Sequence, residues 1–151
     1  MIRKTITTGE ALIAHNVLSM LSQRAELDYM FRPRAGLNAQ ALQPVVAPIQ
    51  AERKILERQF GQPPKPADAK EAEGWKPWTP EEVATAARAV EVAWQVQMAE
   101  PVEVAVPGLR WADLEAQDKK LTIGGDVVAA LLFLLTDAPG WVHEMLADMG
   151  E

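Results

Sequence analysis

The chain has 151 residues, no cysteine and a formal net charge of −6. This length suits one domain with a single core, and the lack of cysteine excludes disulfides, thiolate metal sites and cysteine nucleophiles. The negative charge argues against nucleic acid as the main partner, because phosphate binding depends on clusters of lysine and arginine. The longest apolar run, residues 127–135, is far shorter than the ~20 residues of a membrane-spanning helix, so no membrane contact is expected.

The N-terminus predicts a short strand followed by a helix. Residues Ile2 to Thr7 fit a strand, and Thr7 and Glu10 have the spacing of a capping box for a helix that begins near Thr8. The apolar stripe of this helix comprises Ala11, Ala14, Val17, Leu18 and Leu21.

Proline and glycine residues are expected to break the next helices. Residues 25–35 read as a continuation of the first helix or as a short second helix, ended by Pro33 and Gly36. Leu37 to Phe60 is helical in pattern, but Pro44 and Pro48 interrupt it. Either a helix from residue 38 kinks in this region, or the regular helix begins at about Pro48.

Residues 62–78 are predicted to form a flexible linker. Three prolines precede a run of small and charged residues that cannot bury enough surface to fold alone. Trp75 and Trp78 lie near its end. They either pack back onto the core and anchor the linker, or they bind a partner, since tryptophan is common among interface hot spots.

A well-capped helix is predicted after the linker. Thr79 is a good N-cap, Pro80 suits the first helical position, and Glu82 completes a capping box. The apolar stripe is Val83, Ala87, Val90, Trp94 and Met98, and alanines beside it suggest burial on more than one side.

An alternating segment, Val102 to Val106, then predicts a strand. Prolines 101 and 107 at its ends favour an edge strand or a two-stranded ribbon. Lys119 to Ile123 is the expected partner strand. The exposed side of the strand at Val102 to Val106 is a candidate partner-binding surface, and Val102 and Val104 are its candidate residues.

Three apolar segments follow the strand. Leu109 to Ala116 predicts a helical turn, and Val127 to Leu135 predicts a fully buried helix capped by Asp126. Trp141 to Met149 predicts a short C-terminal helix. Trp141 and Met145 on that helix are candidate docking residues.

No motif indicates catalysis. His15 and Ser19 are one helical turn apart, but nothing around them suggests an activated nucleophile. The pair His143-Glu144 lacks the second histidine of a zinc-protease helix. An acidic cluster around Asp113 lacks the ligand spacing of a calcium loop. We therefore expect no enzymatic activity and no cofactor.

Four segments resemble a group of small tailed-bacteriophage proteins of similar length. They are IRKTITTGEALIAHNVLSML, AERKILERQFG, VEVAWQVQMAEPVEVAVPGLRWADLE and LTIGGDVVAALLFLL. The chain departs from the group at its two prolines, 44 and 48, and in its tail after Pro139. The resemblance implies a viral origin and a non-enzymatic role, and it carries over no site residue.

These observations predict one mainly α-helical α+β domain over residues 1–151, with about five helices and a small edge β-ribbon. The first functional hypothesis is a phage protein that acts through protein–protein contacts as a virion component or assembly factor, in the host cytoplasm during infection or in the virion. The alternative is a small acidic inhibitor of a host enzyme such as RNA polymerase or a defence nuclease. The candidate partner-binding residues are Trp75, Trp78, Val102, Val104, Trp141 and Met145.

Overall fold

The computed structural model describes residues 1–61 and 77–149. Most of the predicted linker at 62–78, including Trp75, lies outside these residues. The helices in the described residues are α1 (Thr8–Gln23), α2 (Phe31–Phe60), α3 (Pro80–Met98), α4 (Trp111–Gln117), α5 (Gly125–Leu131) and α6 (Gly140–Met149), with a 3-10 turn at Leu132–Leu134. The strands are β1 (Ile2–Thr7), β2 (Pro101–Val106), β3 (Leu109–Arg110) and β4 (Leu135–Thr136). The predicted mainly helical α+β class is confirmed, with six α-helices described where about five were expected.

The ribbon pairs the N-terminal strand with the strand that follows α3. Strands β1 and β2 pair antiparallel, with Ile2 opposite Val106 and Thr7 opposite Pro101. The predicted two-stranded ribbon is therefore confirmed, but its predicted partner strand at residues 119–123 is wrong, because those residues form a turn and loop. Strands β3 and β4 make a second, parallel pair of two residues each.

The core lies mainly between α1 and α2. Small side chains on α1, such as Ala11 and Ala14, let the two helices approach closely and bring Leu18 and Leu21 against α2. The ribbon, α4, α5 and the 3-10 turn close the remaining sides. The fully buried large side chains include Leu18, Leu21, Leu42, Leu114, Leu131 and Leu134.

Helix α2 passes through all of the prolines that were expected to break it. Pro33 lies in its first turn, where backbone N–H groups have no helical partner in any case. Pro44 and Pro48 are internal but exposed, so water can reach the carbonyl groups that their missing N–H groups leave unpaired. The predictions of a break near residue 33 and of a helix beginning at Pro48 are both wrong.

Helix α3 has the predicted capping box but not the predicted burial. Thr79 accepts a hydrogen bond from Glu82 N at 3.2 Å, and the Glu82 side chain accepts one from Thr79 N. Only Val90 is buried, while Val92 and Val96 are 66% and 64% exposed. The helix packs on α2 and, near Met98, on α1. Its other face points into solvent, so burial on more than one side is wrong.

The predicted buried helix at Val127 to Leu135 is shorter than expected. Helix α5 ends at Leu131, and Leu135 enters β4 because it pairs with Leu109 of β3. The N-cap of α5 is Gly124, which makes no side-chain capping hydrogen bond, so the predicted N-cap at Asp126 is wrong. Burial is confined to one side, at Val128 and Leu131.

Candidate functional site

Helix α4 is fastened to α2 through the turn that precedes it. Asn38, fully buried on α2, accepts a hydrogen bond from Gly108 N at 2.8 Å and donates one to Gly108 O at 3.2 Å. Gly108 has a φ of 91°, and a Cβ there would lie 2.6 Å from Cδ1 of Ile2, so the turn requires glycine. These contacts fix where the chain enters α4 and hence where Trp111 lies.

The other end of α4 is fastened to the loop between α1 and α2. Buried Gln117 accepts a hydrogen bond from Asp28 N at 2.9 Å and donates one to Asp28 Oδ2 at 3.1 Å. Lys120 forms an ion pair with the same aspartate. The hydrogen bond from Lys120 is the main cause that lowers the pKa of Asp28, and the hydrogen bond from Gln117 is the second.

One carboxylate reinforces the middle of α4. Asp113 accepts hydrogen bonds from Arg110 at 3.2 Å and from Arg34 of α2 at 2.9 Å. The hydrogen bond from Arg110 is the main cause that lowers the pKa of Asp113. This carboxylate is therefore engaged in ion pairs that hold α4 in place.

Helix α6 meets α4 through two tryptophans. The rings of Trp111 and Trp141 lie edge to face, with centroids 5.8 Å apart and an interplanar angle of 83°. Val142, the neighbour of Trp141, is fully buried and anchors α6. Trp141 itself remains 55% exposed, so much of its indole is accessible from outside.

A cleft of about 540 Å³ opens beside these tryptophans, between α4, α5 and α6. Its apolar walls include Leu114 and Val128, and two carboxylates, Glu115 and Asp118, also line it. Asp118 Oδ1 accepts a hydrogen bond from Ile123 N at 2.7 Å. Trp111 Nε1 is buried without a hydrogen-bond partner in the described residues, which is uncommon for an indole N–H. The arrangement offers an apolar recess with an acidic edge.

The structure brings two of the predicted site residues together and separates the others. Trp141 and Met145 both line the cleft. Trp78 lies in a different groove, beside α2 and α3. Val104 is 3% exposed and Val102 is half-buried against the core, so β2 does not present these side chains to a partner. Trp75 is outside the described residues.

The residues of α4 that complete the cleft were not among the predicted site residues. The sequence predicts only a helical turn around Trp111, and it predicts no site at the acidic cluster around Asp113. One signal was available in the sequence, because a tryptophan lies at the first position of α4 and at the second position of α6. The contact between two short helices so far apart in sequence could not be inferred from spacing.

The described residues assemble no group of three or more histidine, aspartate or glutamate side chains that could hold a metal ion. Among the described residues, no hydrogen bond joins His15 to Ser19. The Nδ1 atom of His15 is buried there without a hydrogen-bond partner. None of the described helices is long and apolar enough to cross a membrane.

Comparison of the chain with protein-family models, with curated proteins and with solved structures finds no match.

Proposed function

We propose that this protein is not an enzyme and acts through protein–protein contacts, with the cleft between α4, α5 and α6 as its docking site. The observation that carries the proposal is the accessible, apolar cleft at the Trp111–Trp141 pair. Met145, which is 37% exposed, extends the same surface along α6. Accessible tryptophan beside a recess is typical of interface hot spots.

The chemistry of the cleft indicates the chemistry of the partner. Its apolar walls suit one large apolar side chain, which would gain most from leaving water. Glu115 and Asp118 suit lysine or arginine residues next to that anchor, because complementary charge at an interface favours the right partner. We therefore propose that the cleft takes a protein segment that carries an apolar anchor flanked by basic residues.

The resemblance to tailed-bacteriophage proteins supports a role as a virion component or assembly factor. The test is mass spectrometry of purified particles, together with purification of the tagged protein from infected cells. We expect the protein in the particles, or bound to a virion protein in near-stoichiometric amounts.

The same experiment separates this role from that of an acidic inhibitor, which the net charge of −6 and the carboxylates of the cleft also suit. Recovery of one host enzyme, such as RNA polymerase or a nuclease, at near-stoichiometric amounts would favour inhibition. A protein absent from particles and recovered without any partner would contradict both roles.

A further inference from the structure

The outer edge of β1 has no partner strand among the described residues. The ribbon has two strands, and residues of an antiparallel pair alternate between those whose N–H and C=O groups bond to the other strand and those whose groups point away. Thr8 N donates to Glu100 O at 2.8 Å, which extends the register of the ribbon by one pair and fixes this alternation. Arg3 and Thr5 therefore direct their N–H and C=O groups outward.

Two further observations agree with this assignment. Thr7, which follows the same alternation as Thr5, donates its backbone N–H to Glu10 Oε1 at 3.2 Å. The residue opposite Thr7 is Pro101, which has no N–H to donate. In the part of the chain that the structure describes, no hydrogen bond to a segment other than β2 involves the backbone of Arg3 or Thr5, and both residues are exposed. Their backbone groups are thus open to an added strand.

The opposite edge of the ribbon is less suited to an added strand. By the same alternation, Glu103 and Ala105 of β2 direct their backbone groups to that side. Pro101 at the start of β2 and Pro107 directly after it supply no N–H groups, and proline is a common protection of sheet edges. Strand β1 contains no proline, so its edge is the one that can form a continuous ladder.

A groove of about 480 Å³ lies beside β1. Ile2 and Lys4 of β1 line one wall, and the apolar wall that faces them includes Leu132, Phe133 and Leu135. Successive side chains of a strand point to opposite faces of its sheet. A strand added to β1 would therefore direct every second side chain to the face that Ile2 and Lys4 occupy, where apolar side chains would enter the groove.

We propose that β1 receives an extended segment of a partner protein, which adds a third strand to the ribbon and places alternate apolar side chains in the groove. The backbone groups of Arg3 and Thr5 supply the pairing, and the groove selects the side chains, which is the division of roles in strand addition. Strand β1 has six residues and is ~20 Å long, so a short segment covers it. This surface shares no lining residue with the cleft at Trp111 and Trp141.

The charges beside β1 indicate that the added segment is acidic. Arg3 and Lys4 are exposed, and neither forms an ion pair within the described residues. Glu10 also lines the groove, but its carboxylate is engaged in the capping box of α1. Glu103 lies on β2, one strand further from the added segment. Glutamate or aspartate residues on that segment would therefore meet two cations that have no partner.

The same charges disfavour a second copy of this chain as the occupant. Pairing of β1 with the β1 of another copy would bring Arg3 and Lys4 of both copies together. Like charges on neighbouring strands are destabilising, and charged side chains on an edge strand are a common protection against such pairing.

The first test is calorimetric titration of the full chain with a synthetic peptide of ~8 alternating valine and glutamate residues, long enough to span β1. We expect binding that weakens as salt is added. The matched peptide with lysine in place of glutamate should bind at least about tenfold more weakly. The double variant Arg3→Glu, Lys4→Glu should reverse this preference, whereas Arg88→Glu at an exposed position of α3 should leave it unchanged.

Proline substitutions test which edge of the ribbon is used. Thr5→Pro removes an outward N–H of β1 but no hydrogen bond of the ribbon, so the variant should fold and should bind the acidic peptide at least about tenfold more weakly. Ala105→Pro makes the same change on the edge of β2 and should bind like the wild type. Circular dichroism checks that both variants are folded. Equal affinity of the two folded variants would contradict strand addition at β1.

Hydrogen exchange of the wild-type chain, measured by NMR, locates the contact without any substitution. The acidic peptide should slow exchange at the N–H groups of Arg3 and Thr5 and leave that of Ala105 unchanged. No binding of the acidic peptide at ~1 mM, equal binding of both peptides, or slowed exchange at Ala105 alone would overturn the proposal. Slowed exchange at Arg3 and Thr5 on raising the concentration of the chain alone would also overturn it, because the occupant would then be a second copy.

Discussion

Replacement of Asn38 by leucine tests how the turn before α4 is held. Leucine keeps most of the side-chain volume but removes the hydrogen bonds to Gly108 N and Gly108 O. Each unpaired backbone group costs ~1–3 kcal/mol, and Gly108 is partly exposed, so water offsets some of the loss. We expect the free energy of unfolding to fall by about 2–3 kcal/mol. For a chain of this size, that change lowers Tm by roughly 5–10 °C.

The assay is urea and thermal unfolding followed by the fluorescence of the five tryptophans. Gln50→Leu is the matched control, because it makes the same kind of change at an exposed position of α2 and should stay within ~0.5 kcal/mol of the wild type. If Asn38→Leu were as stable as Gln50→Leu, the bonds between Asn38 and Gly108 would not hold α4, and the account of how Trp111 is placed would be refuted.

Two further predictions concern charge and capping. The pKa of Asp113 is lowered in the folded protein, so its stabilising effect is present above the unfolded-state pKa of about 4 and is lost as the pH falls through the lower folded-state value. Asp113→Asn should therefore flatten the loss of stability in acid, measured as the urea midpoint against pH, and an unchanged profile would contradict this. Thr79→Ala should cost about 1 kcal/mol and should speed hydrogen exchange in the first turn of α3, whereas Thr79→Ser should leave both near wild type. Equal effects of the alanine and serine variants would show that the capping hydroxyl is unimportant.

Local features of the fold were predictable because their physics is local. The capping boxes at Thr7 and Thr79 depend on residues three positions apart, and both form as predicted. The alternation in Val102 to Val106 likewise predicted β2. Its partner could not be predicted, because pairing with β1 joins the N-terminal segment to one that follows α3, far along the chain.

Helix α2 shows why sequence rules alone misplace breaks. Whether an internal proline ends a helix depends on whether the unpaired carbonyl groups are buried or hydrated. Pro44 and Pro48 lie on the exposed side, a fact fixed by the packing of Leu42 and Val46 against α1. For helix α3 the prediction of burial on more than one side was wrong, because an apolar stripe does not reveal whether other elements cover it.

The candidate site was half predictable. An apolar side of the C-terminal helix indicated Trp141 and Met145, and both line the cleft. Trp111 belongs to the same cleft only because Asn38 and Gln117 fasten α4 where α6 can meet it. Those contacts span long stretches of chain, so the site as a whole appears only in three dimensions.

The most direct test of the proposed function is the dissociation constant of the partner recovered with this protein, measured by calorimetry. The double variant Trp141→Ala, Met145→Ala should bind at least about tenfold more weakly, the loss expected when a hot spot is removed. Circular dichroism should show a folded variant, and Val92→Ala on α3 should bind like the wild type. Unchanged affinity in the folded double variant would contradict the claim that the cleft at Trp111 and Trp141 is the docking site.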